Sequence, residues 1–202
     1  MVIRSAILLL KNQLKEYLRS KSEWVADYDV VLDHPSKIEK LGDANLNNRI
    51  LICLSRIEEE KTMKNNASHR KIKLNGNIEY ANPEFFLNMY VLISANFESY
   101  ENSLTWISCA LEFFQSKIVF TPHNSPDSQV FDNMSVNQKK RFKLVTELHS
   151  ISNQQTNNIW ENFGGKQLPH FMLKVWLVAI KAEQTLSEGP PITHIESSEV
   201  IN

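Results

Sequence analysis

The segment 83–97, PEFFLNMYVLISANF, constrains the fold more than any other stretch of the chain. Phe85, Leu87, Met89, Val91, Ile93, Ala95 and Phe97 share one parity. Phe86, Asn88, Tyr90, Leu92, Ser94 and Asn96 share the other. Successive side chains of a strand point to opposite faces, so one face is wholly apolar and the other mixed. That pattern predicts a sheet strand with a helix packed on its apolar side.

The remaining elements arrange themselves around this strand. Ile3, Ile7, Leu10, Leu14 and Tyr17 recur at three- and four-residue steps and predict an amphipathic helix over 2–18. A short strand is expected over 29–32, ended by Pro35, with a loop at 37–48. A second strand starts at Arg49, apolar on both faces through Ile50, Leu51, Ile52, Cys53 and Leu54. Beyond Lys64, the chain reads either as a hairpin turning at Asn75–Asn77 or as a flexible arm reaching Pro83. After Phe97 the period changes. Leu104, Ile107, Leu111 and Phe114 mark the buried stripe of a helix ending near Gln115, broadened by Trp106, Ala110 and Phe113, with Ser99 as its cap.

The segment 119–129 reads as a proline-stiffened loop, 135–144 as a charged lead-in to a strand, and 142–148 as that strand. Ser152 and Gln155 form a capping-box pattern for a short helix over 153–163, which Gly164 stops in a left-handed conformation. A last strand is expected over 170–180. The fold class is α+β, or mixed α/β. One main sheet is packed by an N-terminal helix, a central helix and a short C-terminal helix. A single domain occupies 1–182, and 183–202 is a flexible tail or a segment ordered only in a complex.

Charge excludes some classes of partner. Lys and Arg number 22 against 23 Asp and Glu, so no bulk field favours nucleic acid or an anionic membrane. The N-terminal apolar run is short, followed by Lys11, and predicts a mature helix in a cytoplasmic protein. Cys53 and Cys109 sit in apolar runs and read as buried free thiols.

No motif supplies chemistry. Gly164, Gly165 and Lys166 lack the following Ser or Thr of a phosphate loop, and they follow a helix where such a loop precedes one. His123, Ser125 and Asp127 lie in a proline-rich loop without a nucleophile elbow. Glu58, Glu59, Glu60 and Lys61 read as a polar strand end, or as an acidic patch for a basic partner surface. The basic runs are His69, Arg70 and Lys71, and then Lys139, Lys140, Arg141 and Lys143. No metal or other cofactor is expected.

The ordered set AILLLKNQLKEYL, ILICLSRIEEEKTMKN, LNMYVLISANFESYENSLTWISCALEFFQSKIVFTP and LVTELHSISNQQTNNIWENFGGKQLPHFMLKVWLVAI resembles the Pvc16-type family over residues 2–180. Its members are tail-terminator, or cap, proteins of contractile injection systems related to phage tails. The resemblance implies the fold of a phage tail terminator and a structural role without a catalytic residue. It implies a homo-oligomer, a hexameric ring that closes the inner tube and holds the last sheath layer. The implied partners are the particle's tube and sheath proteins, with no nucleic acid and no membrane, in a cytoplasmic protein assembled into particles. Candidate contact residues are Glu58, Glu59, Glu60, Lys61, His69, Arg70, Lys71, Lys166 and Gln167. Some relatives continue into a further C-terminal region, and this chain reads as a minimal version. The competing readings are a generic protein-binding adaptor, and a small standalone enzyme, which requires a cleft with converging polar groups.

Overall fold

The apolar parity of 85–97 becomes the inner face of β5 (Phe85–Asn96), on which Met89, Val91, Ile93 and Ala95 are fully buried. The computed structural model describes residues 2–40, 46–60, 70–72, 78–81, 85–132, 134–180 and 185–189. Within these, β5 lies inside a six-stranded sheet of order β1-β2-β5-β8-β7-β6. Its neighbours are β2 (Arg49–Glu59) and β8 (His170–Ile180), both antiparallel to it. β1 (Asp29–Leu32) joins β2 in parallel at one edge. β7 (Leu144–His149) and the short β6 (Val119–Phe120) complete the other.

Two helices cover the apolar face. α1 (Val2–Arg19) buries Ala6, Ile7, Leu9, Leu10, Leu14 and Leu18, a wider stripe than its spacing alone predicts. Each fully buried Leu or Ile contributes about 1.5–3 kcal/mol relative to exposure. Lys15 leaves this stripe and pairs with Asp29 at 2.6 Å, tying α1 to β1.

α3 (Tyr100–Ser116) is rotated from the expected orientation. Ser103, Trp106, Ala110, Phe113 and Phe114 are buried, whereas Leu104 and Leu111 are 44 % and 38 % exposed. The expected Leu104–Leu111 stripe is therefore not the core face. Aromatic partners distant in sequence decide the rotation. The Trp106 ring meets Trp24 edge-on at 4.8 Å and Tyr28 at 5.9 Å, and Phe113 meets Tyr17 at 5.2 Å. Each aromatic ring buries about 150–250 Å², more than the two leucines offer in exchange. Ser99 takes the N-cap position but its side chain makes no cap bond.

The mixed face is also covered, where a helix on one side only was expected. Tyr90 and Leu92 pack there with Leu51, Cys53, Met172, Leu168 and Trp160, the last from α6 (Asn153–Asn162). The Asn96 amide donates to the Leu46 carbonyl at 2.7 Å and pins the incoming chain against this layer.

The ends of α6 match their sequence signals. The Gln155 N–H donates to Ser152 Oγ at 3.3 Å, and the Ser152 N–H donates to Gln155 Oε1 at 2.9 Å. Gly164 and Gly165 have φ of 103° and 88°, and their N–H groups donate to the carbonyls of Glu161 and Trp160. Those bonds satisfy carbonyls that the end of a helix leaves open.

Three short helices lie in stretches read as loop or as the lead-in to a strand. α2 (Lys37–Lys40) opens the 37–48 segment, and residues 41–45 lie outside the described residues. α4 (Ser128–Phe131) starts where the Asp127 carboxylate accepts the Val130 N–H. α5 (Val136–Arg141) carries a full capping box at Ser135 and Gln138, and Phe142, expected as a strand residue, is its C-cap. A second sheet joins β3 (Arg70–Ile72), β4 (Ile78–Ala81) and β9 (Thr185–Gly189), each pair antiparallel. β3 and β4 thus pair as a hairpin does, while the turn at 75–77 lies outside the described residues. β9 falls within the stretch expected to be a flexible tail, and it bonds along the edge of β4.

Two outcomes test this packing. Phe113→Ala is expected to cost about 3–5 kcal/mol in urea unfolding, and Leu104→Ala to stay within about 0.5 kcal/mol. Equal losses would contradict the rotation of α3. Gly164→Ala is expected to cost roughly 1 kcal/mol or more, because an L side chain resists positive φ; an unchanged midpoint would count against the turn.

Candidate functional site

The acidic strand end is built by a bulge. β2 shifts register against β5 between Leu54 and Arg56, after which Arg56 pairs with Tyr90 and Glu58 with Asn88. Directly paired residues share a sheet face, so Arg56 and Glu58 stand beside Tyr90 on the mixed face. The Tyr90 hydroxyl donates to Glu58 Oε2 at 2.9 Å, and Arg56 Nη2 lies 3.1 Å from Glu58 Oε1. The guanidinium also sits over the Tyr90 ring, 4.4 Å from its centroid. The Asn88 amide donates to Glu60 Oε2 at 2.7 Å. Desolvation, with the Glu58 carboxylate beside it, holds the Tyr90 phenol above its ordinary value. Glu58 and Glu60 are therefore part of a side-chain network, where the sequence suggested a solvated end. Arg56 and Glu58 remain largely exposed, so their ion pair is worth at most about 1 kcal/mol.

The other candidate residues do not converge on this network. Arg70 and Lys71 occupy β3, opposite Tyr80 and Glu79. Lys61 and His69 lie outside the described residues. Lys166 and Gln167 are exposed between α6 and β8. The same connection is anchored where the Ala95 N–H donates to the Pro169 carbonyl at 3.0 Å. Ala95 is near the end of β5, and Asn88, beside Glu58, is near its start. At about 3.3 Å per residue the two regions stand roughly 23 Å apart along the strand. They form separate surfaces.

The groups that invite catalytic readings serve local structure. Ser125 is buried and its hydroxyl donates to Asn124 Oδ1, while Asp127 caps α4 and accepts from the Asn12 amide. Cys53 and Cys109 are free, the first buried and the second half-buried. Burial pushes the Cys53 thiol up to about 11 and raises that of Cys109, which disfavours the nucleophilic thiolate. Among the described residues, no group of three or more His, Cys, Asp or Glu could hold a metal ion. No helix among them is long and apolar enough to cross a membrane.

The described surface is hollowed in at least two places. One, of about 200 Å³, lies between Arg56, Tyr90, His149 and the α6 residues Gln155 and Asn158. The larger, about 520 Å³, is an apolar groove where α3 meets β7, lined by Leu111, Phe114, Ile118, Leu148 and Leu173. Sequence reasoning missed this groove. Its signal was present in Leu104 and Leu111, which were assigned to the core.

The candidate residues thus fall on separated surfaces of an α+β fold. The chain belongs to the Pvc16 N-terminal domain family, whose sequence model matches residues 7–194. No curated protein matches it significantly in sequence. Its fold is similar to that of the sheath/tube terminator of an extracellular contractile injection system, PVC, in the extended state, with TM-score 0.61 and 14% identity. That match covers 100% of this chain and 64% of the other. The fold is also similar to that of the anti-feeding prophage tube-terminating cap, with TM-score 0.57, 14% identity, and coverage of 96% and 60% respectively. The chain therefore spans somewhat less than two thirds of each of these relatives.

The Tyr90–Glu58 bond has a measurable pH signature. A phenol raised in the folded state stabilises fully below its unfolded value, near 10, and loses that contribution as pH rises through the folded value. Tyr90→Phe is expected to cost about 1 kcal/mol at neutral pH. The wild-type minus variant absorbance titration should yield a phenol with a midpoint above 10. A midpoint below 10 would contradict the network.

Proposed function

We propose that this chain is a structural cap that terminates the tube and sheath of a phage-tail-like contractile injection system. Copies of it form a hexameric ring that closes the inner tube and holds the last layer of sheath. The observation that carries this reading is the fold match, which runs over 100% of the chain to a protein described as a sheath/tube terminator. Membership in the Pvc16 N-terminal domain family supports it.

The working chemistry is surface complementarity, with no catalytic residue. A ring arises when one heterologous contact repeats and closes under rotation. Strand addition at an open sheet edge provides a route to tube or sheath partners. The acidic strand end at Glu58, Glu59, Glu60 and Lys61 is one candidate contact region, and His69, Arg70 and Lys71 are another. The exposed Lys166 and Gln167 form a third, at the opposite end of β5 from Glu58. The protein acts in the cytoplasm during assembly and then as a component of the finished particle.

Deleting the gene and imaging particles by electron microscopy tests the reading. The expected outcome is tails of abnormal length, or loss of intact sheathed particles. Intact particles of normal length in the deletion strain would refute it.

A further inference from the structure

β6 covers the outer edge of β7 only at Leu144 and Val145. The Thr146 N–H then donates to the Ile118 carbonyl at 2.9 Å. Backbone groups of a strand alternate between its two edges, so the next outward N–H and C=O belong to Leu148. Among the described residues, no group pairs with them on that side. The chain that would continue the line of β6 is coiled into α3 instead, where the Lys117 N–H donates to the Phe113 carbonyl. The groove of about 520 Å³ lies on this opening. Val145, Thr146, Glu147 and Leu148 all line it. Successive side chains point to opposite faces, so a hollow that touches four in a row follows the edge of the strand. Its far wall is apolar, with Leu111, Phe114 and Ile118. Ile118 and Leu148 are 52 % and 54 % exposed there.

The other edge of the same sheet is guarded. In β1 the Asp29 N–H donates to the Asn48 carbonyl, which turns the Val30 N–H outward. That N–H donates to Asp29 Oδ1 at 2.8 Å, and the same carboxylate pairs with Lys15. A charged side chain held over an edge strand keeps a further strand from adding. The guard also removes β1 of a second copy as an occupant of the β7 opening. At β7 the charges do not choose a sign. Glu147 stands directly opposite Lys174, whose Nζ lies 5.2 Å from the Trp176 ring centroid in the groove wall. An open ladder beside an apolar hollow takes an extended main chain, whose backbone bonds to the edge while alternate side chains fill the hollow.

We infer that the Leu148 edge of β7 receives an extended segment of another protein of the particle, apolar at alternate positions and uncharged where it faces Leu148. This inference rests on the terminator reading above and names the edge at which a partner strand adds.

Amide hydrogen exchange of the dilute free chain and of purified intact particles tests it. In the free chain the Leu148 N–H is expected to exchange fast, while those of Glu147 and His149, bonded to β8, exchange slowly. In particles the Leu148 N–H should slow by about tenfold or more. Photocrosslinking from residue 111 (Leu111→benzoylphenylalanine) then identifies the occupant by the sequence of the linked peptide. A peptide of another particle protein with apolar residues at alternate positions is the expected result. A peptide of a second copy, or of residues 190–202 of the same chain, overturns the inference. Leu148→Pro removes the outward N–H and leaves the ladder with β8 intact. Leu148→Pro and, separately, Leu111→Lys are expected to keep the circular dichroism spectrum and to lower the chain's content in particles by about tenfold or more. Normal content for both variants overturns the inference, as does a Leu148 N–H already slow in the free chain. Wild-type chain present in particles with unchanged exchange at Leu148 overturns this edge and leaves the terminator reading standing. A chain absent from particles overturns both.

Discussion

Burial of the apolar face of β5 is the interaction on which the other elements depend. β5 is hydrogen-bonded on both sides, to β2 and to β8, so its backbone is satisfied without solvent. Its side chains Met89, Val91, Ile93 and Ala95 then need a cover, and α1 and α3 supply it. α1 reaches across to β1 through Lys15 and Asp29, and α3 is locked by Trp24, Tyr28 and Tyr17. The mixed face follows from the same strand. Tyr90 and Leu92 draw α6 onto it, and Asn96 pins the chain at Leu46.

The nucleophilic groups of this interior serve local structure. The thiols are shifted away from reactivity, and the Ser125 and Asp127 side chains are spent on a turn and a cap. What remains exposed is patterned. An acidic and aromatic network sits at one end of β5, a loop with Lys166 at the other, and an apolar groove lies along α3. These faces are carried by one sheet that is packed on both sides. Among the described residues, the buried Asn88 Oδ1 and Ser94 Oγ have no hydrogen-bond partner.

Much of the fold was legible because it is written in local periodicity and local chemistry. The parity of β5, the strand at Asp29–Leu32, the strand at His170–Ile180, the Ser152 capping box and the left-handed Gly164 each depend on a few neighbouring residues. α5 carries the same local signal, since Ser135 and Gln138 have the capping spacing of Ser152 and Gln155. The candidate contact residues were visible only as polar stretches. Which of them stand together depends on strand order, and the sequence does not carry strand order in any local pattern.

By itself, then, the sequence determined the elements, their caps and the apolar side of the central strand, because backbone sterics and side-chain period act over a few residues. Only the tertiary structure decided three further things. It chose which side of α3 is buried, since Trp106 and Phe113 find ring partners from the other end of the chain. It placed Glu58 beside Tyr90, since a bulge in β2 sets that register. It left the groove of Leu111, Ile118 and Leu148 open, since the competition among apolar residues for one core is settled by the whole fold at once.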